Sequence, residues 1–246
     1  MNLIRACLLL ICLLPIPAAF SESLVFAAGQ EKVRLLELYT SEGCSSCPPA
    51  DRWLSRWRQS PDLWRTVVPV AFHVDYWDYL GWEDRFARAE FSQRQRAYAR
   101  RGASRAVYTP GFILDGAEWR GFFKGSSLPP GTQSRPGSLT LTVAAGKATV
   151  NFDAAEMADY SVWVAELGTG LTSRVRAGEN RGRSLTHDFV VLNLTEGPLE
   201  RVGRVLEARM ELPADPRAGA IAAWVTGVDG LEPVQAVGGF LAAEPP

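Results

Sequence analysis

The stretch SEGCSSCPPADRWL, residues Ser41–Leu54, contains two cysteines separated by two residues, and its interpretation decides the predicted fold. It follows the run KVRLLELYT, which predicts a buried strand because it is apolar on both faces and contains no Gly or Pro. The prolines after Cys47 are tolerated in the first turn of a helix, so PPADRWLSRWRQ predicts a helix. Cys44 therefore lies between a strand end and a helix start, where unpaired backbone amides and the helix dipole stabilise a thiolate.

Residues 1–27 have the layout of a secretory signal. One positive charge, Arg5, precedes the apolar run ACLLLICLLPIPAAF; the tripeptide VFA that ends at Ala27 fits a cleavage site, and PAA ending at Ala19 fits a second. The alternative is an uncleaved membrane anchor, although the run is short for a span of about 20 residues and contains two prolines. We expect a periplasmic or secreted protein that contacts a membrane, if at all, only through an uncleaved signal. Of the four cysteines in the sequence, the mature chain would keep only Cys44 and Cys47.

The overall composition is that of an ordinary soluble globular protein. The 246 residues are 47% hydrophobic and carry a formal net charge of −1. This length is sufficient for two domains. Proteins that bind nucleic acid neutralise phosphates with an excess of Lys and Arg, which is absent from this composition, so we predict no nucleic-acid partner.

The pattern of the chain changes near residue 133. The stretch SSLPPGTQSRPGS, Ser126–Ser138, is rich in Ser, Pro and Gly and predicts a linker. Before it, strand and helix patterns alternate, with further strands in TVVPVAFHVD and TPGFILDG and a second helix in SQRQRAYARRG. After it, eight short alternating runs predict an antiparallel β-sandwich. We therefore predict a signal peptide over residues 1–27, an α/β domain over 30–130 and an all-β antiparallel sandwich domain over 135–246.

The order strand, C-x-x-C, helix, strand, helix, Thr-Pro, strand resembles the thioredoxin superfamily. The resemblance implies an α/β thioredoxin-like domain in which Cys44 is the exposed nucleophile, Cys47 the resolving thiol and Pro110 a cis-proline facing the pair. Gly43 stands where the superfamily has Trp, which implies a more open Cys44. A closer resemblance is to a secreted bacterial family known as domain of unknown function 1223. It covers nearly the whole chain through ELYTSEGCSSCPPAD, FHVDYWDYLGW, RQRAY, VYTPGFILDG and GENRGRSLTHD, and it implies a fold and a site but no substrate.

Three roles are open to the two cysteines. A structural disulfide across two residues closes so short a loop that it removes little chain entropy. A metal clamp needs about four soft ligands, and the sequence has only two histidines, although a Cu(I) site of the Cys-Cys-His type stays open. A redox pair needs a thiolate at a helix start, a second thiol one turn along and an oxidising compartment, and all three are predicted.

We therefore predict thiol–disulfide exchange with a protein or small-molecule thiol or disulfide substrate, without a cofactor or a bound metal. The alternative function is a binding module, such as a Cu(I) carrier, that undergoes no redox turnover.

Glu37 is the candidate for proton transfer. A carboxylate midway along a buried strand is costly unless it has a partner or a role. The thioredoxin resemblance implies that an acid on this strand relays the proton of the resolving thiol. The alternative of equal weight is a carboxylate paired with an Arg or a backbone donor.

Other polar and aromatic residues near the pair are candidates for substrate binding. Thr109 precedes the implied cis-proline, and the stretch DYWDYLGW offers Tyr76, Trp77 and Trp82 as walls of a groove. His73 is interpreted as a histidine satisfied within its strand rather than as a ligand. The Arg-rich segment RVRAGENRGRSLTHD is interpreted as a solvated loop, with anion binding or contact to the first domain as the alternative.

Overall fold

The computed structural model describes residues 23–242, which form two α-helices and fifteen β-strands. The helices are α1 (Pro48–Ser55) and α2 (Ala89–Arg100), with 3-10 turns at Arg56–Gln59, Asp78–Leu80 and Gly121–Lys124. The strands are β1 (Leu24–Ala28), β2 (Arg34–Thr40), β3 (Val67–His73), β4 (Gly111–Leu114), β5 (Ala117–Glu118), β6 (Gly137–Ala144), β7 (Lys147–Ala154), β8 (Tyr160–Gly168), β9 (Leu171–Arg174), β10 (Ser184–His187), β11 (Val190–Pro198), β12 (Glu200–Val202), β13 (Val205–Glu211), β14 (Ala218–Gly227) and β15 (Pro233–Phe240).

The strands form two large sheets and one ribbon. An eight-stranded mixed sheet has the order β15-β14-β8-β11-β3-β2-β4-β5, and a five-stranded antiparallel sheet has the order β1-β6-β7-β13-β12. In the mixed sheet, β3 pairs in parallel with β2 and, through Val190 and Ala71, with β11. All other neighbouring strands of the mixed sheet pair in antiparallel orientation. The short strands β9 and β10 form a separate antiparallel ribbon.

The main hydrophobic core lies between the two large sheets. Phe152 of the five-stranded sheet shares this core with Val164 of the mixed sheet, and α2 contributes Phe91. A second core lies between α1 and the mixed sheet, where Leu54 packs with Leu38. Because successive side chains of a strand point to opposite faces, β2 supplies side chains to both cores.

The predicted fold class, an α/β thioredoxin-like domain followed by an all-β sandwich domain, is wrong. Among the described residues, strands hold 44% and helices, with the 3-10 turns included, only 14%. Strands β8, β11, β14 and β15 from the second half of the chain join β2 to β5 in one sheet. The physical reason is that β3 is not an edge strand. Its outer side hydrogen-bonds to the segment that leads into β11, where the amide of Ala71 donates to the carbonyl of Phe189 at 2.7 Å, so the sheet continues into the second half of the chain. The β-rich, sandwich-like packing of two sheets is what the structure retains of the prediction.

Most individual strand predictions are confirmed, and the helix boundaries differ only in detail. The three strands predicted before the linker correspond to β2, β3 and β4, and β6 begins at Gly137, at the end of the predicted linker. Helix α2 begins at Ala89, three residues before Ser92, where the predicted helical stretch SQRQRAYARRG starts. Ser92 donates a hydrogen bond to Asp75 at 2.5 Å.

Most of the predicted signal, residues 1–22, lies outside the described residues. Its last four residues belong to β1, which pairs with β6 from Leu24 to Ala28. Processing after Ala27 would remove most of this strand, whereas processing after Ala19 would leave it whole. Within residues 23–242, no helix has the length and hydrophobicity needed to cross a bilayer.

Candidate active site

The two cysteines lie in the connection between β2 and α1. The chain makes two successive turns here, in which the amide of Cys44 donates to the Ser41 carbonyl and the amide of Cys47 to the Cys44 carbonyl, each at 3.2 Å. Cys47 is the N-cap of α1, and Pro48 occupies the first helical position, where the absence of an amide proton costs nothing. Both cysteines are free thiols, and both are buried.

The surroundings shift the two thiol pKa values in opposite directions. A hydrogen bond from Cys47, opposed by burial and supported by bonds from Ser46 and Thr109, lowers the pKa of Cys44 to about 6. Burial, together with the neighbouring Cys44 and Asp51, raises the pKa of Cys47 well above the usual range of a thiol. The site therefore holds one thiolate and one protonated thiol at neutral pH.

The Thr109-Pro110 peptide bond is cis, as the resemblance implied. It places the carbonyl of Thr109 at 3.8 Å from the Cys44 sulfur. The side-chain hydroxyl of Thr109 accepts a 2.7 Å hydrogen bond from the indole of Trp77, so Trp77 fixes this segment against the thiols.

The predicted exposure of Cys44 is wrong, because its relative accessibility is 1%. The space next to Gly43 is filled from the other side: a Cβ at Gly43 would lie 2.9 Å from the Cβ of Trp77. The tryptophan that the sequence lacks before the first cysteine is therefore replaced by one from a neighbouring loop. Any larger residue at position 43 would force Trp77 away.

A cavity of about 620 Å³ lies beside the pair, and its lining includes Ser46, Thr109 and Pro110. Of the four residues predicted to bind substrate, Thr109 alone lines this cavity. The side chains of Tyr108 and Phe122 complete its wall. In the sequence, the two phenylalanines of GFFKG could have suggested an apolar binding surface at Phe122. Nothing in that pattern indicates that Phe122 lies near the cysteines.

The other three predicted substrate-binding residues support the site from behind. Tyr76 donates a hydrogen bond to Gln95 at 3.0 Å, and Trp82 donates to Glu42 at 2.8 Å. Trp77 holds Thr109 as described above. These aromatic side chains therefore orient polar groups of the site, and none of them lines the cavity beside the thiols.

Glu37 is held in a buried ion pair. Arg94 of α2 donates two hydrogen bonds to its carboxylate, each at 3.0 Å, and the phenols of Tyr39 and Tyr98 donate to it as well. Glu37 and Tyr39 are two residues apart on β2, so their side chains lie on the same face. Tyr39 belongs to the core between the two sheets, whereas Leu38, on the opposite face of β2, belongs to the core under α1. Glu37 therefore points away from the helix that carries Cys47. Of the two interpretations made from the sequence, the structure supports the carboxylate paired with Arg.

A loop from the second half of the chain closes over the cysteines. The amide of Ser45 donates to the carboxylate of Glu179 at 2.8 Å. The buried amide of Asn180 donates to the carbonyls of Glu42 and Cys44 at 2.9 and 2.8 Å, and Arg183 donates to the Asn180 oxygen. The segment interpreted as a solvated loop is thus part of the site, which corresponds to the alternative of contact with the first half of the chain.

Behind Cys47 lies a cluster of five buried ionisable side chains, which we call the His–carboxylate cluster. It contains both histidines of the sequence and three carboxylates. Its members are Glu42, Asp51, His73, Asp84 and His187. The two imidazole rings contact each other edge to face, with centroids 4.9 Å apart. Sequence analysis missed this cluster because its members come from five different elements of the chain.

The cluster consists of a hydrogen-bonded pair, His73 and Asp84, and of His187, which lies between Glu42 and Asp51. The Nδ1 of His73 shares a 2.7 Å bond with Asp84, whereas its buried Nε2 has no hydrogen-bond partner among the described residues, so His73 is satisfied at one ring nitrogen. Ring nitrogens of His187 lie 3.3 Å from Glu42 and 3.7 Å from Asp51. Among the described residues, neither nitrogen of His187 has a hydrogen-bond partner of good geometry, and the same holds for one oxygen of Asp51.

Charges within the cluster set its protonation. Burial is the largest single influence on the pKa of His73 and lowers it, but the charge and hydrogen bond of Asp84, together with the charges of Asp51 and Glu42, raise the pKa overall. Burial is also the largest single influence on Asp84 and Glu42 and opposes their ionisation. At Asp84 the charge and hydrogen bond of His73 and two backbone amides together lower the pKa. At Glu42 hydrogen bonds from His187, Ser173 and Trp82 together lower the pKa. Burial dominates at Asp51 and raises its pKa. Asp51 is therefore the carboxyl of the cluster most ready to hold a proton.

The arrangement of donor atoms gives the Cu(I) alternative no support. Within residues 23–242, no group of three or more His, Cys, Asp or Glu side chains has the geometry to hold a metal ion. His73 is the histidine closest in sequence to Cys44 and Cys47, and it directs one ring nitrogen to Asp84.

Comparison with known proteins identifies a family of unknown function. Residues 35–226 match the family described as "Protein of unknown function (DUF1223)". No curated protein matches the sequence. Two solved structures resemble the chain. Protein AGR_C_4864 from Agrobacterium tumefaciens has a TM-score of 0.62 and 27% identity, over 88% of this chain and 98% of that one. HBP35 of Porphyromonas gingivalis has a TM-score of 0.61 and 14% identity, over 89% of this chain and 78% of that one, and shows a shared fold alone.

Proposed function

The chain belongs to the DUF1223 family of unknown function, and we propose from its site that it performs thiol–disulfide exchange through Cys44 and Cys47. The opposite pKa shifts of these thiols carry the proposal. With a pKa of about 6, about nine-tenths of Cys44 is thiolate at pH 7, against a few per cent for an ordinary cysteine. A structural cysteine pair has no need of such a difference.

The reaction proceeds in two displacements. The Cys44 thiolate attacks one sulfur of a substrate disulfide, forms a Cys44–substrate disulfide and releases the other substrate sulfur as a thiolate. Cys47 then loses its proton and attacks the Cys44 sulfur. A Cys44–Cys47 disulfide forms, and the rest of the substrate leaves as a second thiolate. The protein loses two electrons and the substrate gains them; the reverse sequence oxidises a substrate dithiol.

The cavity beside the pair is the proposed substrate site. Its apolar wall includes Phe122 and Phe123, and its polar lining includes Ser46, Thr109 and the charged Arg120. Such a lining accommodates an apolar side chain next to the reacting sulfur of a protein or small-molecule disulfide. We further propose export to the periplasm or beyond, because an oxidising compartment keeps such a pair in redox exchange.

Alkylation of the reduced protein with iodoacetamide tests the assignment of the attacking thiol. We expect Cys44 to react first, with a rate that rises through an apparent pKa of about 6. Cys47 is expected to stay unmodified at pH values where Cys44 reacts completely, because burial and its neighbours raise its pKa. Peptide mapping by mass spectrometry identifies the modified residue at each pH.

A Cys47→Ala variant provides the matched control for this profile. Cys47 is the main hydrogen-bond donor to the Cys44 sulfur, so its removal should move the midpoint of Cys44 alkylation toward the ordinary thiol value of about 8.5. Equal reactivity of both cysteines, or an unchanged midpoint in the variant, would contradict the assignment.

A further inference from the structure

We propose that Asp51 and His187 form a proton relay that takes the proton of Cys47 during the second displacement. This inference rests on the exchange reaction proposed above and assigns a role to the His–carboxylate cluster. It also gives the second half of the chain a part in the chemistry, because His187 belongs to β10.

Asp51 is the carboxylate of the His–carboxylate cluster that lies on the helix capped by Cys47. It lies one turn further along α1, and its amide donates to the Cys47 carbonyl at 3.1 Å. One carboxylate oxygen accepts a 2.8 Å hydrogen bond from Thr40, which orients the side chain. The other oxygen is buried and has no hydrogen-bond partner among the described residues. A fold normally satisfies such an atom. Because the charge of Asp51 also acts on the Cys47 thiol, this free oxygen is the candidate acceptor of its proton.

His187 continues the path from Asp51. Its Nδ1 lies 3.7 Å from the free oxygen of Asp51, and its Nε2 lies 3.3 Å from Glu42. Because the ring nitrogens face two different carboxylates, a proton received on one side can be matched by a proton released on the other. The 3.7 Å separation is longer than a hydrogen bond, so the contact has to tighten when the proton moves.

The charges that face Asp51 come from every element around it. Strand β2 and the loop after it present Thr40 and Glu42, and β3 presents His73. The loop before α2 presents Asp84, whose charge favours a protonated Asp51, while His187 and His73 favour its ionised form. Burial is the largest influence and raises the pKa of Asp51. A base whose pKa approaches the working pH accepts and returns a proton most efficiently.

The relay step balances as follows. The Cys47 S–H bond breaks, its proton goes to the free oxygen of Asp51, and the electron pair left on sulfur forms the bond to Cys44. The Cys44–substrate bond breaks at the same time, and its electrons leave with the substrate thiolate. His187 then takes the proton from Asp51, so Asp51 is again ionised and the dithiol can be regenerated by a thiol reductant.

The test isolates the second displacement. Reduced protein is allowed to form a Cys44–glutathione disulfide with oxidised glutathione at acidic pH, and a jump in pH then starts the release of glutathione. Mass spectrometry of quenched samples follows this release. We expect Asp51→Asn, which preserves shape and the acceptor for Thr40, to slow release near neutral pH by on the order of a hundredfold. The first displacement should change by no more than about twofold, because Cys44 is already ionised.

The pH dependence separates a relay from a loss of structure. Release in the Asp51→Asn protein should rise steadily with hydroxide concentration, whereas the wild-type rate should level off above the pKa of Asp51. His187→Gln should give a smaller slowing with the same change of profile. Asp188→Asn is the matched control: Asp188 is a neighbouring buried carboxylate whose partners are Arg58 and the amide of Gly170, and its removal should leave the rate and profile of release unchanged.

Each result has a defined meaning. Release by Asp51→Asn with wild-type rate and profile would overturn the relay while leaving the exchange function intact. A wild type that forms no mixed disulfide would overturn the exchange function and the relay with it. If Asp51→Asn does not fold, His187→Gln decides, together with carbon-13 NMR of the wild-type Asp51 carboxyl. The relay requires its titration to differ between reduced and oxidised protein, and an identical titration would overturn it.

Discussion

The Cys44→Ser variant is expected to lose exchange with oxidised glutathione by on the order of a thousandfold or more, down to the uncatalysed background. The reason is that Cys44 is the thiolate of the pair, and a serine hydroxyl is neither ionised near pH 7 nor able to form a disulfide. The protein should still fold, because the replacement differs by one atom in a loop that is held by Asn180 and Glu179. Release of reduced glutathione in a single turnover measures the loss.

Two further variants make this experiment specific. Cys47→Ser should still form the mixed disulfide at Cys44 but retain it, since the resolving sulfur is missing. Ser45→Ala, which removes an exposed hydroxyl between the cysteines, should behave like the wild type. Exchange by the Cys44→Ser protein at a rate near that of Ser45→Ala would show that the reaction does not use the C-x-x-C pair.

The Arg94→Met variant is expected to lower the free energy of unfolding by about 3–5 kcal/mol, because it leaves the carboxylate of Glu37 buried without its cation. Arg94 is itself buried and donates both hydrogen bonds of the ion pair. Urea denaturation followed by tryptophan fluorescence measures the change. Arg100→Met on the same helix is the matched control: Arg100 is exposed, and its replacement should change the unfolding free energy by no more than about 0.5 kcal/mol.

A double variant shows whether the loss arises from an unpaired charge. Combining Arg94→Met with Glu37→Gln removes both charges, so it should recover part of the stability lost in Arg94→Met alone. If Arg94→Met is as stable as Arg100→Met, the ion pair does not hold Glu37, and the proton-transfer interpretation made from the sequence would become open again.

Local features of the site could be predicted from the sequence because they depend on neighbouring residues. The strand before Cys44, the helix after Cys47 and the stabilisation of the thiolate by adjacent hydroxyl and backbone groups all follow from a short stretch of chain. The cis bond before Pro110 was implied by resemblance. Each of these rests on a pattern or motif contained within about fifteen residues.

Pairing between distant strands could not be predicted in the same way. Alternation within a strand shows which side chains are buried, but it does not identify the neighbouring strand. One signal was available: β14 is apolar on both faces, which favours a central strand covered on both sides over a sandwich strand with a solvated face. Strand β3 is likewise buried on both faces, which favours a central position but does not identify β11 as its neighbour.

Long-range polar contacts explain the remaining differences. His187 and Asn180 reach the cysteines only because the second half of the chain packs onto the connection between β2 and α1. Glu37 and Arg94 are 57 residues apart in sequence, so Arg94 was only one of several possible partners for this buried acid. Trp77 occupies space beside Gly43 that the sequence alone left open.

The most direct test of the proposed function is a redox titration of the wild-type protein in glutathione buffers of defined ratio, followed by acid quenching and mass spectrometry. The account predicts a reversible two-electron transition between the dithiol and a Cys44–Cys47 disulfide, reached from both the oxidised and the reduced side. It also predicts that Cys44→Ser and Cys47→Ser show no such transition. Thiols that remain reduced in every buffer, or a disulfide that glutathione cannot reduce again, would contradict it.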